Sequence, residues 1–331
     1  MNATHTHLPR HLLTLDGLSF DALDALLTRA QAFADGHYDR RALDGIAVCT
    51  LFFEPSTRTR MSFTLAGKTV CTLFFEPSTR TRSSFQIAAQ RLGADVLNFD
   101  ASTSSTSKGE TARDTMKNLE AMGVHGFVVR HREDGAVAAL AGEARPGTAM
   151  VNAGDGRIAH PTQGLLDMLT LRQARGTDFS QLKVAIVGDV KHSRVARTDL
   201  HALRTLGAGE IRVCGPQTLL PDDVTLAGCT VTQDLDAALE GVDAVMMLRL
   251  QRERMEEGLV GSLTDYHRDY GLTGARLKRA APEAVVLHPG PMNRGVEIDD
   301  DVADGPQSLI LRQVANGVAA RMAVLEILLG A

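Results

Sequence analysis

The chain has 331 residues, which at roughly 100–200 residues per domain predicts two domains. Its composition, 44% hydrophobic and 23% charged, is typical of a globular protein and excludes a disordered chain. The net charge of −5 contains no basic surplus, so we expect no nucleic-acid partner. No apolar run is long enough to span a bilayer, and residues 1–10 lack the apolar core of a signal peptide. We therefore expect a cytoplasmic protein with no membrane partner.

The cysteines give no sign of a metal site. Cys49, Cys71, Cys214 and Cys229 form no CxxC pair and no Cys/His spacing typical of zinc. Each lies in or beside an apolar run, which favours small buried side chains in a reducing compartment. The sequence predicts no metal ion and no other cofactor.

Strand-like and helix-like segments alternate along the chain. The first helix, predicted at Phe20–Phe33, precedes one series of strands, and a second series begins at Leu182–Asp189. A long helix is predicted at 308–329. Strands that alternate with helices predict parallel sheets, so we expect an α/β fold of two doubly wound parallel-sheet domains joined by helices. The predicted domains are 1–158 and 159–331, with the last helix packing back on the first domain.

One internal repeat interrupts this pattern. The string VCTLFFEPSTRTR occurs at Val48–Arg60 and again at Val70–Arg82, as a single tandem duplication of a strand, a loop and a helix start. Apolar residues continue at helical spacing after the second copy, but only MSFTLA precedes Gly67 after the first. We expect the second copy to occupy the working position and residues 46–67 to be an insertion that bulges or extends the sheet edge. The alternative is that the first copy docks and the second is expelled.

The second copy carries a candidate phosphate site. Residues 76–82, EPSTRTR, follow a strand and open a helix, where unpaired backbone N–H groups and the helix dipole attract anions. Two hydroxyls add donors, and Arg80 can grip a phosphate with two hydrogen bonds. From these letters alone, an ordinary Ser/Thr helix cap with exposed arginines fits equally well.

Further blocks follow in order. They are STSSTSKGET (102–111), VVRH (128–131), HPTQGLLD (160–167), GDVKHSRVAR (188–197), MLRLQRER (247–254) and HPGPMNRG (288–295). With FFEPSTRTRSSF before them, the chain resembles the aspartate/ornithine transcarbamylase family, and the aspartate carbamoyltransferase catalytic chains in particular. The resemblance covers nearly the whole chain. The duplicated segment at about 46–67 departs from the family pattern.

The resemblance implies a carbamoyl transfer that needs no metal and no covalent intermediate. The amine of L-aspartate attacks the carbonyl carbon of carbamoyl phosphate, and phosphate leaves. Arg80 would neutralise charge that develops on the leaving oxygen. The residues implied to hold the phosphate are Ser78, Thr79, Arg80 and Thr81.

The resemblance also implies how the carbamoyl group is held. Thr81, Arg130 and His160 would point at the carbonyl oxygen. Gln163 and the backbone of Gly290–Pro291 would hold the carbamoyl NH2 group. The alternative for His160 is a structural histidine, and the alternative for HPGP is a simple turn.

Aspartate has two carboxylates, so its site should offer two cations that do not serve the phosphate. Arg194 and Arg249 both follow predicted strands, at the edge where α/β folds bind ligands. Gln251 lies two residues beyond Arg249 and would share its face in an extended chain. The alternative, an exposed helix face, is accepted here for Arg252 and Arg254.

A polar loop supplies the last implied residues. By resemblance, Ser104 and Lys108 reach the active site of the neighbouring subunit, where Lys108 touches both phosphate and aspartate. The alternative is a solvated linker. The shared site implies a closed homo-oligomer based on a trimer. HPGPMNRG and the extended N-terminus resemble bacterial chains that assemble with a dihydroorotase-like protein, so the resemblance implies an allosteric assembly with a regulatory or dihydroorotase-like subunit.

Other functions compete with this interpretation. A transcarbamylase for ornithine or an acylated ornithine is the nearest, although no Cys lies near His288 and the RLQ block favours a dicarboxylate. A catalytically silent scaffold for a partner subunit is a second. An enzyme impaired by the duplication is a third. We expect an aspartate carbamoyltransferase that feeds aspartate into pyrimidine synthesis.

Overall fold

The computed structural model describes residues 9–44, 47–52, 71–74, 78–100, 111–221, 224–250 and 262–330. Two compact units divide the chain. Unit 1 comprises Met1–Leu166 with Asn316–Ala331, and unit 2 comprises Asp167–Ala315. The predicted domains 1–158 and 159–331, and the assignment of 46–67 to an insertion, stay predictions.

A parallel sheet forms the centre of unit 1. Its strands are β1 (His11–Leu12), β2 (Ala47–Phe52), β3 (Cys71–Phe74), β4 (Asp95–Asp100), β5 (Gly126–His131) and β6 (Ala149–Asp155). The strand order is β1–β6–β5–β2–β3–β4, and β2 also pairs with β4. The helices that lie wholly in unit 1 are α1 (Phe20–Ala34), α2 (Thr79–Arg91), α3 (Ala112–Ala121) and α4 (Ala136–Glu143).

Local chemistry explains where these helices begin. Ser19 Oγ accepts the N–H of Ala22 at the start of α1, and Thr111 Oγ1 accepts the N–H of Asp114 at the start of α3. Both helices then bury one apolar face, as the helical spacing predicts. In α3 that face presents Met116 and joins a buried cluster with residues of α4, β5 and β6.

The two repeat copies lie in the same register on β4. Cys49 of β2 and Cys71 of β3 are both opposite Leu97, and the register continues to Asp100. The first copy also pairs with β5, where Cys49 is opposite Phe127. Strand β2 thus lies between β5 and β3 in this sheet. The expectation that residues 46–67 bulge or extend the sheet edge stays a prediction, because residues 53–70 lie outside the described residues. Because the copies have identical strand letters, the first satisfies the same pairing pattern as the second.

Unit 2 has a second parallel sheet. Its strands are β7 (Lys183–Val187), β8 (Glu210–Cys214), β9 (Thr230–Thr232), β10 (Ala244–Met247) and β11 (Val285–Leu287), in the order β11–β10–β7–β8–β9. Its helices are α6 (Arg194–Thr205), α7 (Leu235–Leu239), α8 (Leu263–Tyr270), α9 (Gly274–Leu277) and α10 (Asp300–Ala303). Two longer helices, α5 (Pro161–Arg175) and α11 (Ile310–Leu329), contribute residues to both units.

The central strands of this sheet are buried because helices cover it. Val187 and Val245 join one core cluster with Leu239 of α7, Leu277 of α9 and Val302 of α10. Continuous apolar letters such as VAIV and AVMM are typical of strands buried on both faces. The expected α/β fold with two parallel sheets is confirmed.

The last part of α11 belongs to unit 1. Glu326 receives a two-pronged ion pair from Arg29 of α1. The buried guanidinium of Arg321 lies 5.0 Å from the ring centroid of Phe85 in α2. Arg321 Nη1 also donates to the carbonyl of Gly317 at 2.8 Å. Across the part of the chain that the structure describes, no helix is both long and apolar enough to cross a membrane.

Candidate functional site

The predicted phosphate motif begins helix α2. Ser78 precedes the helix with φ −152° and ψ 79°, and its side chain does not cap the first turn. Its carbonyl accepts the N–H of Arg82 at 3.0 Å. Thr79 and Arg80 are exposed, whereas Thr81 is buried. The Ser78 hydroxyl thus does not cap the first turn of α2, the end of the helix at which the dipole attracts anions.

Arg130 lies near the end of β5 beside an irregularity in the sheet. The register between β5 and β6 shifts between Val129 and His131. Arg130 is half-buried, and its Nη1 donates to the carbonyl of Ala153 at 3.4 Å. A bulge at this position turns the side chain relative to its neighbours. The guanidinium therefore stays at the carboxyl end of β5.

His160 and Gln163 start helix α5. The His160 carbonyl accepts the N–H of Gln163 at 2.9 Å, and Pro161 occupies the first helical position, where its missing N–H costs nothing. Both side chains are buried. They follow β6, which neighbours β5 in the sheet, so His160 and Arg130 occupy the same edge.

Asn152 fixes the turn before His160, and the sequence analysis missed it. Its Nδ2 donates to the carbonyls of Leu13 at 2.7 Å and Ala159 at 3.3 Å. Its Oδ1 accepts the N–H of Gly154 at 2.7 Å. A polar residue inside the apolar strand AMVNAGD was the signal that could have identified it.

In unit 2, Arg194 is the first residue of α6. Ser193 Oγ caps the helix by accepting the N–H of Ala196 at 3.1 Å. The preceding loop is held by Asp189, whose carboxylate accepts from the backbone N–H and the ring Nδ1 of His192. Arg194 is buried, so it is not an ordinary exposed surface arginine.

Arg249 follows β10, next to the loop that carries Arg194. Gly188, with φ +124°, passes so close to β10 that an added Cβ would lie 3.1 Å from the carbonyl oxygen of Leu248. The Leu248 N–H donates to the carbonyl of Val187 at 2.8 Å. The structure thus brings the chain segments that carry the two predicted aspartate arginines to one edge of the sheet.

Gly290 and Pro291 lie beyond β11, the next strand along that edge. The Gly290–Pro291 peptide bond is cis. The Gly290 N–H donates to His288 Nδ1 at 2.7 Å, and Asn293 Nδ2 donates to the carbonyl of Leu250 at 3.3 Å. The loop after β11 is therefore joined to the residue that follows Arg249.

Two buried carboxyl groups, Asp167 of α5 and Asp199 of α6, interact with each other. Burial raises the pKa of Asp199 well above its ordinary value, and the carboxyl of Asp167 raises it further. Gln313 Nε2 donates to Asp167 Oδ1 at 2.6 Å. Asp199 thus retains a proton above the pH at which an exposed carboxyl loses it.

Three predicted residues, Ser104, Lys108 and Gln251, lie outside the described residues. The other predicted residues form two sets. One set is Ser78, Thr79, Arg80, Thr81, Arg130, His160 and Gln163 in unit 1; the other is Arg194, Arg249, Gly290 and Pro291 in unit 2. Within the described ranges, no group of three or more His, Cys, Asp or Glu side chains could hold a metal ion.

Family models match both units. The model for the aspartate/ornithine carbamoyltransferase carbamoyl-P binding domain matches residues 10–68 and 64–173. The model for the Asp/Orn binding domain of the same family matches residues 180–328. The two matches of the first model overlap, and each contains one copy of the repeat.

Named relatives agree with these matches. The chain is 71% identical over 326 residues to the aspartate carbamoyltransferase catalytic subunit of Stenotrophomonas maltophilia, covering 97% of this chain and 96% of that protein. A solved ornithine carbamoyltransferase from Thermus thermophilus is similar, with TM-score 0.81, 29% identity and coverage of 98% and 100%. An aspartate transcarbamoylase from Trypanosoma cruzi, solved with aspartate and phosphate, has TM-score 0.77, 29% identity and coverage of 96% and 93%.

Proposed function

Because this chain belongs to the aspartate/ornithine carbamoyltransferase family, we propose that it transfers the carbamoyl group of carbamoyl phosphate to the amine of L-aspartate. The products are N-carbamoyl-L-aspartate and phosphate. The observation that carries this proposal is the 71% identity to an aspartate carbamoyltransferase catalytic subunit, which extends over 97% of this chain. The similarity in fold alone would not separate aspartate from ornithine, since an ornithine enzyme is also a structural neighbour.

The chemistry requires a bound anion and a polarised carbonyl. The amine nitrogen forms a bond to the carbonyl carbon, the bond from that carbon to the phosphate oxygen breaks, and the amine loses a proton. We assign the phosphate to Ser78, Thr79, Arg80 and Thr81, where the uncapped start of α2 supports anion binding. Thr81, Arg130 and His160 are assigned to the carbonyl oxygen, where charge develops during attack.

The acceptor site uses the second set of residues. Arg194 and Arg249 are assigned to the two carboxylates of aspartate, which a bidentate guanidinium binds well. Their positions after neighbouring parallel strands support this assignment. Gln163 and the backbone of Gly290–Pro291 are assigned to the carbamoyl NH2 group, and Gln251 and Lys108 to aspartate.

We propose a trimer-based homo-oligomer in which Ser104 and Lys108 serve the site of the neighbouring subunit. Residues from two subunits in one site require closed symmetry. We further propose that the enzyme works in the cytoplasm, in pyrimidine synthesis, within an allosteric assembly that includes a regulatory or dihydroorotase-like subunit. The support for these points is the family resemblance of the sequence blocks.

The test is carbamoyl transfer by the purified chain, with L-aspartate and L-ornithine assayed side by side. We expect carbamoyl-aspartate and no citrulline. Citrulline as the main product would overturn the assignment of Arg194 and Arg249. If neither product forms, removal of 46–67 distinguishes a chain impaired by the duplication, which recovers activity, from a silent scaffold, which does not.

A further inference from the structure

Glu297 is a buried carboxylate to which no substrate role has been given. It is 0% exposed. Its Oε1 accepts the backbone N–H of Asn293 at 2.6 Å and lies 3.3 Å from His288 Nε2. Its Oε2 accepts from Asn293 Nδ2 at 3.2 Å. Three donors offset much of the cost of removing a carboxylate from water.

The protonation of His288 follows from its backbone partner. The Gly290 N–H donates to His288 Nδ1 at 2.7 Å, so Nδ1 carries no proton. The ring proton is therefore on Nε2, where it is donated to Glu297. A neutral imidazole in this one tautomer connects the carboxylate to the backbone of Gly290.

Asn293 continues the connection to the neighbouring strand. Its Nδ2 donates both to Glu297 and to the carbonyl of Leu250, at 3.3 Å. Leu250 directly follows Arg249. The three residues His288, Glu297 and Asn293, here called the buried link, thus join the loop after β11 to the end of β10.

We propose that Glu297 is a positioning residue for carbamoyl transfer. Through the buried link it sets the spacing between Gly290–Pro291, which hold the carbamoyl group, and Arg249, which holds aspartate. The inference rests on the proposed function, because these substrate roles are assigned there. A merely structural carboxylate would stabilise the unit without affecting one substrate more than the other.

The variant Glu297→Gln separates these two roles. Its remaining oxygen still accepts from His288 and the Asn293 N–H, but its new NH2 faces the Asn293 amide. Asn293 must then turn its side-chain oxygen towards residue 297. The Asn293 Nδ2–H that donated to the carbonyl of Leu250 is then no longer available to it. The connection to Arg249 is broken, while the loop at Gly290 remains held.

We expect Glu297→Gln to lower kcat/KM for aspartate about 10–100-fold, since a misplacement of about 1 Å costs on the order of 100-fold. The KM for aspartate should rise, while the KM for carbamoyl phosphate stays within about twofold of the parent value. Asn293→Ala removes the same connection and keeps the Glu297 carboxylate, which loses one side-chain donor but retains the backbone N–H of residue 293. It should reproduce this split even where Glu297→Gln folds poorly.

The matched control is Glu283→Gln, which makes the same chemical change at an exposed carboxylate. It should leave both KM values unchanged. If Glu297→Gln and Asn293→Ala match this control, or if they raise both KM values equally, the positioning role is overturned.

Hydrogen exchange keeps this result separate from the proposed function. The backbone N–H of Asn293 donates to Glu297. Peptides that cover 288–297 should therefore lose protection against hydrogen exchange in Glu297→Ala, whether or not the parent chain is active. An inactive parent chain with this loss contradicts the proposed function alone. An active parent chain without it contradicts the buried link.

Discussion

In the sheet of unit 2, β7 pairs with β10 on one side and β8 on the other, each in a single register. In the sheet of unit 1, β4 is in register with two copies of one sequence. One edge of a strand has a single row of N–H and C=O groups, so it accepts one partner at a time. This difference shows that the pattern of apolar residues determines the register of strand pairing. It cannot determine which of two strands with the same sequence pairs with β4.

The residues after each copy do distinguish them. The second copy extends into α2, which begins at Thr79 and buries Phe85, Ala88 and Ala89. Helix α2 continues to Arg91 and then to β4, the strand on which both copies are in register. We therefore expect the phosphate site to belong to the copy that is followed by a helix packed in the core, which is the second copy with α2.

The largest expected effect compares the equivalent arginines of the two copies. Arg80→Ala should lower carbamoyl transfer on the order of 1,000-fold, because it removes a charge that stabilises the leaving phosphate. Arg58→Ala should leave the rate nearly unchanged. Steady-state kinetics of carbamoyl transfer by the two variants test which copy binds phosphate. A large loss of rate in Arg58→Ala would assign the working position to the first copy.

A medium effect compares stability in the two sheets. Ile186→Ala in β7 should cost about 2–5 kcal/mol, because its buried position has no second occupant. Leu51→Ala or Leu73→Ala alone should cost less than about 1 kcal/mol, since both leucines are in register with Phe99.

The double variant of Leu51 and Leu73 should recover the full cost of a core truncation. Urea unfolding followed by far-UV circular dichroism suits this chain, which has no Trp. Purely additive single and double variants would show that the copies do not replace each other.

The smallest effect concerns thiols. Burial raises the pKa of Cys214 to about 12, so this thiol should resist iodoacetamide at pH 8 in the folded chain. The folded state binds the thiol proton of Cys214 more tightly than the unfolded state does. The contribution of this thiol to the free energy of unfolding is therefore fully present below the unfolded pKa of about 8.5, and it is lost as the pH rises towards 12.

Mass spectrometry of the labelled protein also compares the copies. One of Cys49 and Cys71 should react while the other is protected in the sheet. Equal protection of both would contradict competition for one edge, and rapid labelling of Cys214 would contradict its burial. Denatured protein, in which all four cysteines react, is the control.

Much of the fold was predictable because the strands are continuous apolar runs and because capping residues in the sequence mark where helices begin. VAIV and AVMM gave β7 and β10, and Ser193 and Thr111 cap helices as their residue types favour. The candidate site residues came mainly from the family resemblance of their sequence blocks, and their roles stay predictions. Arg194, Arg249 and Gly290 lie after neighbouring strands as a parallel sheet requires.

The buried link could not be predicted in the same way. In HPGPMNRGVE the polar letters have no periodicity and are typical of an exposed turn. Asn293, which donates to the buried Glu297, also donates to the carbonyl of Leu250, and that contact joins parts of the chain far apart in sequence. The pairing of β2 with β5 was not predicted for a related reason, because pairing depends on partners that the repeat itself does not specify.

Unit 1 contains both the early strands and the last part of α11, so its segments are separated by all of unit 2. During synthesis the ribosome releases Asp167–Ala315 before Asn316–Ala331. All residues of unit 2 are therefore synthesised before unit 1 is complete. Arg29 in α1 can form its ion pair only after Glu326 has been synthesised. The domain begun first is finished last, and a nascent chain stopped before α11 leaves unit 1 open to chaperones and proteases.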